Sequence, residues 1–105
     1  MRILYFPFLI TCLLIADSAL AGDGEALAKK SYCTHCHDVN KKKVGPAFRD
    51  VAAKYKKDKG AQAALERKVR YGGRGVWGNL PMPASAKSVS DSDIKDIVQW
   101  ILAVK

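Results

Sequence analysis

Two thiols and two imidazoles fall within five consecutive residues, Cys33-Thr34-His35-Cys36-His37. The pattern Cys-x-x-Cys-His is the attachment signature of c-type haem. Thiols three positions apart on a helical turn can each add to one of the two vinyl groups on one side of a porphyrin. The histidine that follows is then carried under the iron, where it becomes the proximal ligand. The motif therefore predicts one haem c, held covalently through Cys33 and Cys36, with His37 on the iron.

The same residues allow three other interpretations. A zinc site needs about four ligands, and no second Cys/His pair lies elsewhere in the chain to complete it. A thioredoxin-like redox pair would follow a strand in a βαβ unit, whereas nothing here alternates with period two. A structural disulfide between Cys33 and Cys36 would close a small strained ring and leave His37 unexplained. We interpret His35 as a surface residue without a role in binding.

The first 21 residues predict a secretory signal peptide that is cleaved. Arg2 supplies a positive start, residues 3–16 are almost entirely apolar, and residues 19–21 (Ala-Leu-Ala) place small side chains where a signal peptidase acts. An apolar run of this length is shorter than the ~20 residues that a membrane-spanning helix needs, which argues against a retained anchor. Cleavage before Gly22 would also remove Cys12. We therefore expect a mature domain of residues 22–105.

The expected mature chain is small and strongly basic. The full sequence has 105 residues and a formal net charge of +8, and the charges of Arg2 and Asp17 cancel when the signal peptide is lost. This length allows one domain and excludes a multi-domain enzyme, a solenoid and a polytopic membrane protein. A domain of this size with few bulky apolar residues generally needs a disulfide, a metal or a cofactor to be stable.

The first half of the expected mature chain predicts two helices that bring the haem motif into position. Asp23 is a plausible N-cap for a helix over roughly 24–33, which would deliver the motif. After a polar loop, Pro46 is expected to open a second helix, because proline is favoured at the first helical position. Three apolar residues at helical spacing predict its buried face, namely Phe48, Val51 and Tyr55.

The second half predicts two further helices and no strand of useful length. A third helix is expected over about 61–71, with Gly72 at its end. Ser90 and Asp93 form a capping-box arrangement at the start of the last helix. The buried stripe of that helix consists of Ile94, Ile97, Val98 and Ile101, with Trp100 beside it. The fold class predicted from the pattern is all-α.

The segment 72–89 is too long to be a simple connection in a compact domain. It contains Met82, the only methionine left after signal removal, between Pro81 and Pro83. A lone methionine is more often a flexible core residue. Low-spin haem electron carriers, however, commonly complete their coordination with a thioether, and the two prolines stiffen the backbone that presents it. We predict that Met82 is the second axial ligand.

Four short motifs follow one another along the chain: Cys-x-x-Cys-His at 33–37, Val-Gly-Pro-Ala at 44–47, Gly-Val-Trp-Gly at 75–78 and Pro-Met-Pro at 81–83. In this order they resemble the small bacterial class I cytochromes c of the c-551/c-552 type. The resemblance covers essentially the whole expected mature chain. It implies a class I cytochrome c fold of about four helices wrapped around one haem.

The resemblance also implies roles for individual residues. His37 and Met82 would be the axial ligands, and the Pro46 carbonyl would accept a hydrogen bond from His37 Nδ1–H, which fixes the ring. Trp77 would donate its indole N–H to a haem propionate. Lys68 stands where the family often has an arginine that holds a propionate, and lysine lacks the planar fork for that contact. The segment 84–88 is longer than usual and lacks the family's amide side chain.

The function expected from these features is single-electron transfer in the periplasm, with iron alternating between Fe(II) and Fe(III). In such a protein the cofactor provides the chemistry, and the chain sets potential, burial and docking. The expected partners are redox proteins with acidic docking faces: a quinol–cytochrome c reductase as donor, and a terminal oxidase, nitrite reductase or peroxidase as acceptor. We expect a monomer without stable membrane insertion.

Two other functional classes are possible from the composition. A haem enzyme or gas sensor with an open sixth position would require a distal acid–base residue, and the only spare histidine, His35, lies in the attachment motif itself. A nucleic-acid binder would suit the charge of +8, but it conflicts with export and haem attachment, and charge alone is weak evidence for that partner.

Overall fold

The computed structural model describes residues 23–105, so the predicted signal peptide at 1–21 lies outside it. Within this range the only β-type pairing is an isolated bridge between Gly73 and Met82. No helix there is both long enough and apolar enough to cross a membrane. The α-helices are α1 (Gly24–Lys30), α2 (Phe48–Tyr55), α3 (Ala61–Tyr71) and α4 (Asp91–Leu102), and a 3₁₀ turn covers Cys33–His35. The all-α prediction is confirmed.

Helix α4 is the centre of the fold, because α1, α2 and α3 all pack against it. The Ser90 hydroxyl accepts a hydrogen bond from the Asp93 N–H at 3.0 Å, as expected for an N-cap. The four residues of the predicted stripe are all buried, and they divide between two clusters. Ile97 and Ile101 join a cluster with Ala28, Phe48 and Val51, here called the first cluster. Ile94 and Val98 join Val69 in the second cluster.

Helices α1 and α4 cross in close contact, with Gly24 at the crossing. A Cβ at Gly24 would overlap Trp100 Cβ and would lie 2.5 Å from the Asp96 carbonyl oxygen. Glycine is therefore required here by close approach of the two helices. Trp100 packs against the first cluster, and its Cβ faces Gly24 at the contact between the two terminal helices.

Two helix starts or ends differ from the prediction. Helix α1 stops at Lys30, and Tyr32 adopts a left-handed conformation with φ of 67°, so the haem motif lies on a separate 3₁₀ turn. Helix α2 begins at Phe48 with Ala47 as its N-cap, so Pro46 precedes the helix. The third helix has the predicted bounds, and Gly72 ends it with a φ of 72°.

Candidate haem-binding site

A cleft of about 420 Å³ lies between the 3₁₀ turn, the three helices α2, α3 and α4, and the loop after α3. Its volume is in the usual range for small-molecule and cofactor sites, roughly 300–1,000 Å³. Cys33, Cys36, His37 and Met82 all line it. The fold therefore brings the predicted motif and the predicted methionine to one cleft, although they are far apart in the sequence.

The orientation of His37 is set by a hydrogen bond to the chain ahead of α2. Its Nδ1 lies 2.7 Å from the Pro46 carbonyl oxygen. Because a carbonyl oxygen can only accept, Nδ1 must carry the proton and donate it. In the neutral imidazole, a proton on Nδ1 leaves the lone pair on Nε2, and this tautomer is the one that can bind a metal through Nε2.

The ring of His37 is also held by packing on residues of α2 and the preceding loop. Phe48 stacks on it with ring centroids 4.9 Å apart and an interplanar angle of 18°, and Phe48 in turn contacts Trp100 edge-on at 5.3 Å. A Cβ at Gly45 would lie only 2.6 Å from His37 Cε1. No role for Gly45 was expected from its residue type. The signal available in the sequence was only its place in the Val-Gly-Pro-Ala motif.

The loop that carries Gly45 and Pro46 is hydrogen-bonded to the haem motif and to the start of α2. The Gly45 N–H donates to the Cys36 carbonyl at 2.7 Å, and Lys43 Nζ donates to the Thr34 carbonyl at 3.0 Å. At the other end, the Phe48 N–H donates to the Asp38 carbonyl at 2.9 Å. The N–H of Asn40 hydrogen-bonds the Asp38 carboxylate and lowers its pKa.

The two cysteines lie on one turn and are not bonded to each other. The N–H groups of Cys36 and His37 both donate to the Cys33 carbonyl, at 3.2 and 3.0 Å. Cys33 packs partly against the first cluster, and burial raises the pKa of its thiol. Among residues 23–105, no group of three or more His, Cys, Asp or Glu side chains is placed to hold a metal ion. Residues 23–105 therefore offer no set of side chains that matches the zinc interpretation.

His35 does not share the site with His37. It is exposed, and its ring meets the edge of Tyr32 at 5.1 Å between centroids. It is absent from the described residues that line the cleft.

Met82 is positioned by the end of α3 and by the second cluster. Its N–H donates to the Gly73 carbonyl at 2.8 Å, and its carbonyl accepts from the Gly73 N–H at 3.0 Å. The side chain packs against Val69, Ile94 and Val98. A Cβ at Gly72 would overlap the Met82 carbonyl oxygen, so the glycine that ends α3 also makes room for the bridge.

Trp77 and Lys68 lie at the same cleft, as far as the described residues define it. Trp77 lies within a tight turn closed by a hydrogen bond from the Gly75 N–H to the Gly78 carbonyl at 2.9 Å. The residue is 45% exposed, and Lys54 Nζ lies 5.6 Å from the ring centroid, within the range of a cation–π contact.

These groups fit a haem of the c type. The cleft offers two thiols on one turn, an imidazole whose tautomer is fixed by Pro46, and a thioether on a tethered loop. Thiols provide covalent attachment, and imidazole and thioether are common axial ligands of haem iron. An all-α fold with this donor set is that of a monohaem c-type cytochrome.

Comparison with known proteins gives the same result. The family model described as Cytochrome c matches residues 21–105. Cytochrome c-552 of Hydrogenobacter thermophilus is 48% identical over 89% of this chain and 96% of its own length. Cytochrome c-551 of Allochromatium vinosum is 51% identical over 90% of this chain and 97% of its own. The crystal structure of Nitrosomonas europaea cytochrome c552 has a TM-score of 0.73 and 47% identity, covering 77% of this chain and 99% of that one.

The chain belongs to the cytochrome c family. The resemblance inferred from the four motifs is thereby confirmed, and so is the class I cytochrome c fold. The cofactor of this family is one covalent haem c, and Cys33 and Cys36 fit its attachment motif.

Proposed function

We propose that this protein is a single-electron carrier. The observation that supports the proposal most directly is that His37 and Met82 line one cleft together with both thiols. When bound, the haem would supply an iron that can alternate between Fe(II) and Fe(III), and the protein would contribute burial, ligation and docking. Relatives named cytochrome c-551 and cytochrome c-552 support the same function.

Within this proposal each site residue has a distinct task. Cys33 and Cys36 would anchor the haem, and His37 and Met82 would bind its iron. Pro46 holds His37 in the tautomer that exposes Nε2, through the 2.7 Å hydrogen bond. Trp77 donates its indole N–H to a haem propionate, which its place in the cleft lining permits.

Occupied axial positions favour a carrier over an enzyme. A haem enzyme or gas sensor needs an open sixth position and a distal acid or base. Among the described residues that line the cleft, His37 is the only histidine and Asp50 the only carboxylate, and Asp50 is exposed on the first turn of α2. A thioether ligand from Met82 would also favour the reduced iron and raise the potential.

Replacing Met82 with alanine tests the carrier against the enzyme or sensor. The haem should stay attached, since both thioether bonds remain, while the sixth position opens. We expect the ferric protein to lose the weak near-infrared absorption of a sulfur–iron bond, the potential to fall and the ferrous form to bind carbon monoxide more tightly. An unchanged spectrum and unchanged affinity would mean that another residue, such as a lysine, binds the iron.

The place of action is proposed to be the periplasm. Residues 1–21 have the features of a signal peptide cleaved before Gly22, leaving residues 22–105 as the haem domain. Intact mass spectrometry of the natively expressed protein should give a chain that begins at Gly22 and carries the mass of one haem. A retained leader would refute the assignment of domains.

The proposed partners are redox proteins that present acidic surfaces. The formal charge is +8, and Lys42 and Lys68 lie in the cleft lining while Lys54 sits beside Trp77. A positive field around the cleft would steer the carrier to acidic faces and allow fast encounter and release. A quinol–cytochrome c reductase fits as donor, and a terminal oxidase, nitrite reductase or peroxidase fits as acceptor. The carrier is proposed to act as a monomer.

A further inference from the structure

Arg70, the residue before the last of α3, makes three contacts with the chain that follows Met82. Its Nη2 donates to the Val89 carbonyl at 2.6 Å and to Asp91 Oδ1 at 2.8 Å. Its Nη1 donates to the Ala86 carbonyl at 3.3 Å. The side chain is only 23% exposed. One guanidinium thus spans the end of the loop and the first residue of α4.

The stretch that Arg70 contacts has few other hydrogen bonds to the rest of the chain. Residues 83–90 lie between the Gly73–Met82 bridge and α4, and we call them the post-methionine segment. The Ser85 N–H donates to the Val69 carbonyl at 3.0 Å, and the Val89 N–H to the Ala86 carbonyl at 3.0 Å. The second of these bonds lies within the segment. Its hydrogen bonds to α3 are therefore the Ser85 backbone bond and those of the Arg70 side chain, and Val89 also packs against the second cluster.

The carbonyl contacts are the important part of this arrangement. The Asp91 side chain is 95% exposed, and an ion pair with an exposed partner contributes little because water and salt screen it. The Ala86 and Val89 carbonyls belong to the backbone, and hydrogen bonds from a charged donor are stronger than neutral ones. The planar fork of arginine can reach both carbonyls and the carboxylate together, which the single ammonium of lysine cannot.

We propose that Arg70 is a positioning residue that keeps Met82 on the haem iron by fixing the post-methionine segment to α3. This inference rests on the proposed ligation by Met82. Met82 stands at the start of the segment, and its own backbone bonds join it to Gly73. When the segment is no longer held at its far end, the Gly73–Met82 bridge is the main restraint on the position of Met82. The thioether then leaves the iron more often.

The test compares the holoprotein with its Arg70→Met and Arg70→Lys variants. Cyanide binds ferric iron only after the thioether has left, so its binding rate at low concentration measures that departure. We expect Arg70→Met to raise this rate at least about tenfold, as loss of two charged-donor hydrogen bonds would do. Arg70→Lys should give an intermediate rate. Amide hydrogen exchange at Ser85 and Met82 should accelerate by a similar factor, and the sulfur–iron absorption should disappear at a lower denaturant concentration than in the unmodified protein.

Arg67→Met is the matched control, because Arg67 is an exposed arginine on the same helix and the change in charge is identical. It should leave the cyanide rate and the two amides unchanged. Asp91→Asn should also have a small effect, since the ion pair is exposed. If Arg70→Met folds poorly, the cyanide-binding rate of Arg70→Lys, compared with that of the unmodified protein, tests the proposal.

Two results would overturn the proposal. One is a cyanide rate in Arg70→Lys and Arg70→Met within about twofold of the unmodified protein. The other is an equal increase in Arg67→Met, which would point to charge alone. A failure of the Met82 ligation itself would appear differently, as an absence of sulfur–iron absorption in the unmodified protein, while Ser85 exchange would still report whether Arg70 holds the segment.

Discussion

Gly45→Ala is the substitution with the most specific expected effect on the proposed haem ligand His37. The new Cβ would lie 2.6 Å from Cε1, 3.0 Å from Nδ1 and 3.1 Å from Nε2 of the imidazole. Carbon atoms in good contact are about 3.5–4.0 Å apart, so either the ring or the Gly45 backbone must move by roughly 1 Å. The ring is also stacked on Phe48, which is 2% exposed and belongs to the first cluster.

Either movement damages the hydrogen bond between His37 Nδ1 and the Pro46 carbonyl. Overpacking typically costs about 1–3 kcal/mol, and the loss of a buried hydrogen bond about 1 kcal/mol more. We therefore expect the free energy of unfolding of the ferric holoprotein to fall by about 2–4 kcal/mol. The reduction potential should also shift, because the Pro46 contact sets the basicity of the imidazole.

Denaturant unfolding and redox titration of the holoprotein measure these two effects. Gly60→Ala is the matched control: Gly60 is exposed, has a φ of −89°, and a Cβ there would only touch Asp58 at 3.4 Å. It should be neutral or slightly stabilising, by less than about 1 kcal/mol. If Gly45→Ala changed stability no more than Gly60→Ala and left the potential unaltered, contact with Gly45 would not be what positions His37.

Three further predictions follow from the packing and charge. Gly24→Ala should lower the free energy of unfolding by at least about 2 kcal/mol, since its Cβ would collide with Trp100 at the α1–α4 crossing; a thermal melt of the holoprotein within a few degrees of the parent would contradict this. Reversing Lys41 and Lys42 to glutamate should weaken the salt dependence of the electron-transfer rate with an acidic partner, with screening over about 10 Å at 0.1 M salt. Lys43 is left intact, because it hydrogen-bonds the Thr34 carbonyl. If the salt dependence of the rate in stopped-flow measurements were unchanged, docking would be apolar. Ile94→Ala and Ile97→Ala should each lower the free energy of unfolding by about 2–5 kcal/mol, but only Ile94→Ala should cause the sulfur–iron absorption to be lost at a lower denaturant concentration than global unfolding. If both variants lost this absorption together with global unfolding, the separation of the two clusters would be contradicted.

The sequence was sufficient for those parts of the fold that depend on local periodicity. Ile94, Ile97, Val98 and Ile101 follow helical spacing, and all four are buried. The motif at 33–37 predicted the cofactor from residue types alone, and family membership supports it. The bounds of α1 were wrong because Tyr32 adopts a left-handed conformation, which is uncommon for a tyrosine and has no signal in composition.

Residues that act through tertiary contacts could not be found in this way. Gly45 matters because its missing Cβ leaves space for His37, and Arg70 because its guanidinium meets carbonyls 16 and 19 positions away. Neither the contact of Gly45 with His37 nor those of Arg70 follow the periodicity of a helix or a strand. An arginine in a chain with 18 Lys and Arg residues is ordinarily a solvated side chain, so only the fold distinguishes Arg70 from Arg67.

The proposed axial ligands are held by different parts of the core. His37 is supported through Phe48 by the first cluster, with which Trp100 also packs. Met82 rests on the second cluster and on backbone bonds to the end of α3. Helix α4 is shared, because Ile97 and Ile101 face the first cluster while Ile94 and Val98 face the second.

This division gives the two sides of the site unequal stability. The His37 side is reinforced by covalent attachment through the neighbouring Cys33 and Cys36, whereas the Met82 side depends on a loop and a few hydrogen bonds. Local opening occurs preferentially where buried contacts are few. Partial unfolding should therefore release Met82 first, while the haem stays bound to the motif and to His37. For an electron carrier this would be the less harmful order, because the cofactor would be kept and the proposed ligation by Met82 would be restored when the loop closes.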